Sequence, residues 1–390
     1  MNEKKRQYIL SPSLATSLPV LFVVPTLRIG GGTFEVIRLA SDLRLRDIDA
    51  RITSLWVDPH SVPVTSVPVS SVSNTAPHKG FALFAIIPIL LQFRRFLKAL
   101  ESQVNGNVSV FLTHYSTLPF GWFTPHEHRY CFVQGVECTF IPSRVLRWMM
   151  TKFILSNYSK CRVITTNPYL TAEMKKLGII PVAETPIWAN DIFSSDTIAT
   201  ERSIDAVMVL RHGHVKRLNL YEQLLRLLNQ DPKLSLAIIT PETEILDKVS
   251  RYASTCLLRP SKQEMKDVFQ HSKVFILLSE HEGFGLPPLE AMGSGCIPMC
   301  RDAGGVRCFM QGSLERNLIP MEETVASIAL RVRKLISDQL LCQKLAVESA
   351  TIFKEGHAES FAKRENALDL LATSLYPNSL LSGYKPHRIN

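Results

Sequence analysis

Short apolar runs alternate with segments of helical periodicity, and this alternation constrains the fold more than any other feature of the chain. Leu18–Pro25 (LPVLFVVP) and Ala206–Leu210 (AVMVL) are continuous apolar runs, typical of parallel strands that are buried on both faces. Helical segments such as Leu218–Leu228 follow such runs in both halves. Since repeated strand–helix order indicates parallel sheets covered by helices, we predict two doubly wound α/β domains that face each other across a cleft. Their linker is predicted near 187–203, where the sequence has no clear period.

Composition narrows the classes of protein to consider. The chain has 390 residues, 46% hydrophobic and 20% charged, which excludes a disordered or low-complexity protein. A net charge of +9 suits nucleic acid, an anionic membrane or a phosphorylated ligand. No block of five or six basic residues occurs, so we predict no nucleic-acid partner. The eight cysteines show neither C-x-x-C nor zinc spacing, and no secretory signal is recognisable, so a cytoplasmic protein is expected.

One apolar segment raises the question of membrane contact. Phe81–Phe93 (FALFAIIPILLQF) is too short to span a bilayer, which takes about 20 apolar residues. It runs into Arg94, Arg95 and Lys98, so a helix lying in the membrane interface is one interpretation. A buried or groove-lining helix is the other. The preceding stretch, 58–80, is rich in Pro, Ser, Val and Thr and is predicted to be a loop.

The segment richest in chemistry is Ser279–Cys300 (SEHEGFGLPPLEAMGSGCIPMC). Gly283 and Gly285 allow a tight turn close to a ligand, and the two prolines after Leu286 suit the first turn of a helix. Backbone N–H groups of residues 283–286 would then point at an anion such as phosphate. Glu282 and Glu290, before and inside the helix, are acceptors suited to sugar or ribose hydroxyls.

This segment resembles the E-x7-E signature of retaining glycosyltransferases of family 4, which have the GT-B fold. The resemblance runs through E-G-F-G-L-P and the following E-A-M, with Gly293 where the family often has Ala. It implies that Glu282 contacts the donor sugar and that Glu290 contacts the nucleotide ribose. It also implies that the N–H groups of Gly283, Phe284, Gly285 and Leu286 hold the donor diphosphate.

Three further matches lie after predicted strands. Arg211 and Lys216 (RHGHVK) resemble the family's basic pair, which implies that they neutralise the leaving nucleoside diphosphate, although Arg217 stands where the family usually has Gly. Gly31 and Gly32, in the G-G-G-T turn, would lie beside the donor phosphates or the acceptor. His114 is a candidate sugar contact, with a plain loop histidine as the alternative.

Two segments match the family only in part. Phe132–Glu137 (FVQGVE) resembles a segment of bacterial rhamnosyltransferases, with Gly135 replacing an acid, and this suggests a deoxythymidine-diphosphate-rhamnose donor. Arg307 and Cys308 stand where the family's G-G-x-P-E loop has Pro and Glu, which questions donor contacts from that loop.

The resemblance implies a reaction and a domain plan. A sugar would pass from a nucleoside diphosphate donor to a hydroxyl of a glycan or lipid-linked acceptor, with retained configuration, no bound metal and no protein nucleophile. Residues 1–195 would bind the acceptor, 196–360 the donor, and 361–390 would form a helix crossing back and a tail. A peripheral position on the inner face of the membrane is compatible with this. A sugar-nucleotide epimerase or phosphorylase on the same fold, or a non-catalytic nucleotide-sugar-binding subunit, are the alternatives.

Overall fold

Two parallel β-sheets form the frame of the molecule. The structure is a computed structural model, and it describes residues 18–27, 30–57, 65–73, 83–141, 143–230 and 234–375. The first sheet has the order β3-β2-β1-β4-β5-β6-β7. Its strands are β1 (Val20–Leu27), β2 (Ala50–Val57), β3 (Val69–Ser73), β4 (Ser109–Leu112), β5 (Arg129–Val133), β6 (Arg162–Thr165) and β7 (Ala183–Glu184). All the pairings between them are parallel.

The second sheet repeats the same plan with the order β10-β9-β8-β11-β12-β13. Its strands, also parallel, are β8 (Ile204–Val209), β9 (Leu236–Thr240), β10 (Thr255–Leu258), β11 (Ser272–Leu277), β12 (Ile297–Arg301) and β13 (Leu318–Ile319). In both sheets the strand order reverses beside the first strand, at β1/β4 and at β8/β11. Ligands of doubly wound sheets bind at such points, beyond the carboxyl ends of the strands.

Helices connect and cover the strands, which confirms the predicted fold class. In the described residues they are α1 (Gly31–Arg44), α2 (Leu83–Val104), α3 (Arg144–Tyr158), α4 (Pro168–Lys176), α5 (Leu218–Leu228), α6 (Thr243–Val249), α7 (Lys262–Gln270), α8 (Leu286–Gly293), α9 (Val325–Ser337) and α10 (Gln339–Leu375). The apolar runs that predicted the strands are buried, for example throughout Val20–Val23 and Ala206–Met208.

The long helix α10 belongs to both cores. Leu345 and Phe353, in its first half, pack with the second sheet. Leu368 and Leu371, in its second half, pack with the first sheet and α1. The chain therefore returns to the N-terminal sheet after completing the C-terminal one.

Two predictions about residues 58–93 need revision. The predicted loop over 58–80 is wrong for Val69–Ser73, which forms the parallel edge strand β3 beside β2; residues 58–64 and 74–80 lie outside the described residues. Residues 81 and 82 also lie outside the described residues, and the rest of the apolar segment begins α2, which continues beyond Phe93 to Val104. Phe93 and Leu97 are buried while Ile87 and Leu91 are exposed, so α2 covers the core with one side only. Among the described helices, none has the length and apolarity needed to cross a membrane.

Candidate active site

Backbone hydrogen bonds fix the loop before α8 against the loop after β12. Glu282 N–H donates to Ala303 O (2.8 Å), and Gly305 N–H donates to Glu282 O (3.0 Å). Gly285 caps α8 with φ 95°, a left-handed conformation that favours glycine. The N–H groups of residues 283–285 have no hydrogen-bond partner within the described ranges. Since the following helix adds its positive end, this loop is suited to an anion.

Gly283 is required for contact between the two domains. A Cβ atom at this position would lie 2.1 Å from the backbone oxygen of Gln134, at the end of β5. Asn167, the N-cap of α4, donates its Nδ2 hydrogen to Gly283 O (2.9 Å). The sequence predicted a glycine here for approach to a ligand. The structure adds a second reason, because the backbone of the N-terminal domain occupies the space of a side chain.

Lys216 and Glu282 form an ion pair at the carboxyl ends of the second sheet. Lys216 Nζ lies 2.6 Å from Glu282 Oε1, and the two side chains are 30% and 13% exposed. The two residues are far apart in sequence, and the turn after β8 brings them together. A cation and an acid are therefore in direct contact beside the unpaired N–H groups of the loop.

Glu290 lies in α8, close enough to Arg211 for the positive charge of that arginine to act on it. Burial raises the pKa of Glu290 to about 7, while the positive charges of Lys262 and Arg211 act to lower it. Glu290 makes no hydrogen bond or ion pair with the residues that the structure describes, and Arg211 is exposed. This carboxyl group is largely desolvated and lacks a protein partner, so it is able to accept hydrogen bonds from a ligand.

The glycine turn of the N-terminal domain meets the same loop. A Cβ atom on Gly31 would lie 3.6 Å from Leu286 Cδ1, and one on Gly32 would lie 3.0 Å from Gln134 Oε1. These glycines begin α1 and face the start of α8 across the cleft. The structure therefore brings the predicted residues 31, 32, 283 and 286 together.

His114 has a local partner. It ends β4 and caps a 3₁₀ segment, Tyr115–Phe123, in which Ser116 N–H donates to His114 Nδ1 (3.3 Å). Ser116 Oγ lies 2.8 Å from the same nitrogen. These contacts account for a histidine at this position, and its contact with a sugar stays a prediction.

The loop after β12 packs against the loop before α8, and its side chains have partners of their own. Arg307 Nε donates to Asp302 Oδ1 (2.7 Å), and Cys308 Sγ lies 3.9 Å from Asn167 Oδ1. Gly305 is as crowded as Gly283, since its Cβ would lie 2.3 Å from Gly283 O. The residues that replace the family's Pro and Glu thus have other partners in this chain.

Two contributors to the site were not predicted from the sequence. Asn167 follows a strand and precedes a proline, which indicates a helix cap but gives no sign of its second hydrogen bond to Gly283. Lys262, at the start of α7, lies near Glu290 and 5.9 Å from the centre of the Phe34 ring in the other domain. Each requires the relative position of the domains, which no local pattern encodes.

A family model of known proteins matches most of the C-terminal half of the chain. The family model described as "Glycosyl transferases group 1" matches residues 191–351, which contain Arg211, Lys216, Glu282 and Glu290. The chain carries a glycosyl transferases group 1 domain. This group 1 domain includes the whole second sheet.

Two relatives with glycosyltransferase names match short stretches of the chain, and a solved structure shares its fold. A putative glycosyltransferase of Sulfolobus islandicus filamentous virus is 45% identical over 47 residues, 12% of this chain and 14% of the relative. A GDP-mannose:cellobiosyl-diphosphopolyprenol alpha-mannosyltransferase of Xanthomonas oryzae is 40% identical over 45 residues, 12% of each chain. The alignments thus span only a small part of these relatives. The sucrose-phosphate synthase of Thermosynechococcus elongatus superposes with a TM-score of 0.68 at 16% identity, covering 91% of this chain and all of that one. The architecture around the group 1 domain is the GT-B fold.

Proposed function

We propose that the protein is a retaining glycosyltransferase of family 4, which transfers a sugar from a nucleoside diphosphate sugar to a hydroxyl group of a glycan or lipid-linked acceptor. The observation that carries the proposal is the arrangement around Glu282. A lysine ammonium lies 2.6 Å from this carboxylate, beside backbone N–H groups that have no partner within the described residues. Cations, helix N–H groups and an acceptor carboxylate together match a phosphorylated sugar.

The two cations stabilise the departing diphosphate. Negative charge grows on the phosphate oxygens as the bond to the sugar breaks, and Lys216 and Arg211 lie on the same turn after β8. Lys216 is only 30% exposed, so its charge is screened less than that of a surface lysine. Glu282 positions Lys216 in the free protein and accepts a hydrogen bond from a sugar hydroxyl when donor is bound.

Retention of configuration follows if the acceptor attacks from the side on which the diphosphate leaves. The departing phosphate oxygen takes the proton of the acceptor hydroxyl, the new bond forms at the anomeric carbon, and the bond to the phosphate oxygen breaks. The N–H groups of residues 283–286 hold the diphosphate close enough for that transfer. Glu290 accepts hydrogen bonds from the nucleotide ribose.

The donor stays the least constrained part of the proposal. Deoxythymidine diphosphate rhamnose rests on the F-V-Q-G-V-E segment, but Phe132 and Val133 are buried in the sheet and Gln134 O contacts Gly283. Packing therefore explains part of that similarity. The name of the Xanthomonas oryzae relative specifies GDP-mannose as its donor, which makes guanosine diphosphate a second nucleotide to test.

We further propose the division of labour that the resemblance implies. Residues 1–195 bind the acceptor and 196–360 bind the donor; of the predicted crossing segment 361–390, residues 361–375 belong to α10 and residues 376–390 lie outside the described residues. The boundary near residue 195 is supported by the sheets, because β1–β7 end at Glu184 and β8 begins at Ile204.

The central test is Lys216→Ala. Binding is screened first by the rise in melting temperature with UDP, GDP and dTDP, and then with the sugar nucleotides of the best base. Release of nucleoside diphosphate from that donor is followed with water as acceptor, and the configuration of the first-formed sugar is read by NMR. We expect Lys216→Ala to lower the release rate about 100-fold or more while the melting temperature without ligand changes little.

Lys334→Ala is the matched control, because Lys334 is an exposed lysine on α9 of the same domain. It should leave release unchanged. Equal release by wild type and Lys216→Ala would contradict the proposal. Nucleotide binding with no release at all would favour a non-catalytic binding subunit, and a product formed only with free phosphate would favour a phosphorylase.

A further inference from the structure

The outward side of α3 is apolar although nothing in the described residues covers it. Val145, Trp148 and Met149 stand at positions i, i+3 and i+4 and are 71%, 60% and 55% exposed. Lys152 continues the strip at i+7. The other side of the helix is anchored in the core by Ile154 and Tyr158. Because large apolar side chains grouped at the surface mark interaction sites, this strip requires an explanation.

The strip is accompanied by positive charge and by no acid of its own. Lys152 Nζ lies 4.1 Å from the centre of the Trp148 ring, so the ammonium group sits at the edge of the apolar surface. No Asp or Glu occurs in the sequence from 138 to 172, and none from 83 to 100. Tryptophan beside lysine is the combination found where a protein meets the boundary between lipid headgroups and acyl chains.

The same surface continues onto α2. Trp122, which is 57% exposed, donates its indole hydrogen to Asn157 Oδ1 of α3 (2.9 Å). The guanidinium of Arg94 on α2 lies 5.9 Å from the ring centre of Phe123, the next residue. The exposed side of α2 carries Leu91 and three cations, Arg94, Arg95 and Lys98. We call this surface, from α2 through Trp122 to α3, the basic apolar face.

We propose that the basic apolar face docks on the surface of an anionic lipid bilayer, with Trp148 and Met149 inserted among the headgroups. A second copy of the chain is a poorer occupant, because pairing two such faces brings cations against cations. The inference does not depend on sugar transfer. It also extends the prediction of membrane contact by residues 81–98, since α3 adds more exposed aromatic and apolar side chains.

The docked orientation would place the opening of the cleft near the headgroups. Arg147 of α3 lies close enough to His281 of the donor loop for its positive charge to act on that histidine, whose pKa is lowered mainly by burial. The short turn Glu137–Phe140, just before α3, also packs against the turn His214–Lys216. Because the basic apolar face begins beside the cleft, docking of this face would hold the opening of the cleft next to the bilayer.

The test is flotation of the full chain with vesicles of phosphatidylcholine mixed with phosphatidylglycerol, against phosphatidylcholine alone. We expect binding to the mixed vesicles, weakened by salt, with a blue shift of tryptophan emission. Replacing Trp148 and Met149 by Ser together should weaken binding about tenfold or more, and so should Lys152→Glu with Arg95→Glu. All four side chains are exposed, so the fold should be retained.

Matched controls come from the C-terminal domain. Leu330→Ser with Leu340→Ser removes two exposed apolar side chains, and Lys334→Glu with Lys344→Glu reverses two exposed charges. Neither pair should change vesicle binding. The proposal is overturned if wild type binds neither vesicle, or if the Trp148 and Met149 variant binds as wild type does. A dimer in sedimentation that this variant abolishes, without any vesicle binding, would assign the face to a second copy instead.

Discussion

At the scale of single residues, burial changes the acidity of one side chain of the site, Glu290. Its pKa is raised to about 7 because the carboxyl is desolvated, and the opposing charges of Lys262 and Arg211 do not fully offset this. At neutral pH the free protein therefore holds a mixture of the neutral and ionised forms. Ligand hydroxyls that donate to the carboxylate would favour the ionised form and release protons on binding.

Glu290→Gln should alter the pH dependence of stability. A carboxyl whose folded pKa exceeds its unfolded value stabilises the fold at low pH, and that contribution is lost as pH rises through about 7. We expect the wild type and the Gln variant to have similar free energies of unfolding at pH 5. At pH 8 the variant should be more stable by about 2 kcal/mol, and it should bind nucleotide more weakly.

Urea unfolding at both pH values measures the difference. Glu222→Gln is a suitable control, because Glu222 lies on α5 of the same domain and is partly exposed to solvent. A stability difference between wild type and Glu290→Gln that does not change between pH 5 and pH 8 would show that the carboxyl is not desolvated as the structure indicates.

At the scale of elements, the turn between β8 and α5 is built around an unusual residue. Arg217 has φ 53° and ψ 46°, the left-handed region, where the resembled family has glycine. Its Nε lies 3.0 Å from Glu280 Oε1, and the two side chains are 34% and 26% exposed. Arg217 directly follows Lys216, which pairs with Glu282, and the ion pair of Arg217 with Glu280 contributes to holding the turn.

Arg217→Gly should keep the turn and relieve its strain. A left-handed conformation costs a non-glycine residue about 1 kcal/mol, whereas a partly exposed ion pair contributes less. We therefore expect a free energy of unfolding equal to or slightly above that of wild type. Arg217→Val should lose about 2 kcal/mol, because a branched Cβ is most strained in this conformation. If urea unfolding ranks Val at or above Gly, the turn is not left-handed.

The elements also explain which parts of the fold could be predicted. Interior strands such as β1 and β8 were predicted because burial on both faces requires continuous apolar runs. The four strands at the sheet edges, β3, β7, β10 and β13, contain no long continuous apolar run. An edge strand pairs on one side only, and Val69–Ser73 (VSSVS) or the two-residue β7 and β13 need little apolar sequence.

The sequence predicted which residues form the site, but not which of them contact each other across the two domains. The segment from Glu282 to Glu290 is local, so its turn and helix could be predicted from glycine and proline positions. Contact of Gly283 with Gln134 and Asn167 could not, because Asn167 is 116 positions away and the contact depends on how the two sheets are placed. Long-range packing, which leaves no periodic trace, decides such contacts.

At the scale of the whole molecule, α10 fixes the N-terminal domain through buried charge as well as apolar contacts. Arg364 is fully buried and donates from Nε to Asp42 Oδ2 (2.8 Å) and from Nη1 to Pro186 O (3.2 Å). Glu35, 3.7 Å from Arg364 Nη1, is also buried, and desolvation raises its pKa. On the surface above, Arg46 pairs with two acids of α10.

Removing Arg364 should therefore cost far more than removing its neighbour. Arg364→Ala leaves the partly exposed Asp42 without its cation and leaves the buried Glu35 with only the 3.9 Å pair to Arg38, so we expect a loss of about 3 kcal/mol in the free energy of unfolding. Lys363→Ala removes an exposed i,i+4 pair with Glu359 and should cost about 0.5 kcal/mol or less. Adding Glu35→Gln to Arg364→Ala should restore part of the loss, because one buried charge is gone.

Since Leu368 and Leu371 follow on the same helix, amide exchange in Arg364→Ala should speed up in α1 and the second half of α10 before it does in the second sheet. Equal losses for the Arg364 and Lys363 variants, or faster exchange in the second sheet first, would mean that α10 is not what couples the two domains.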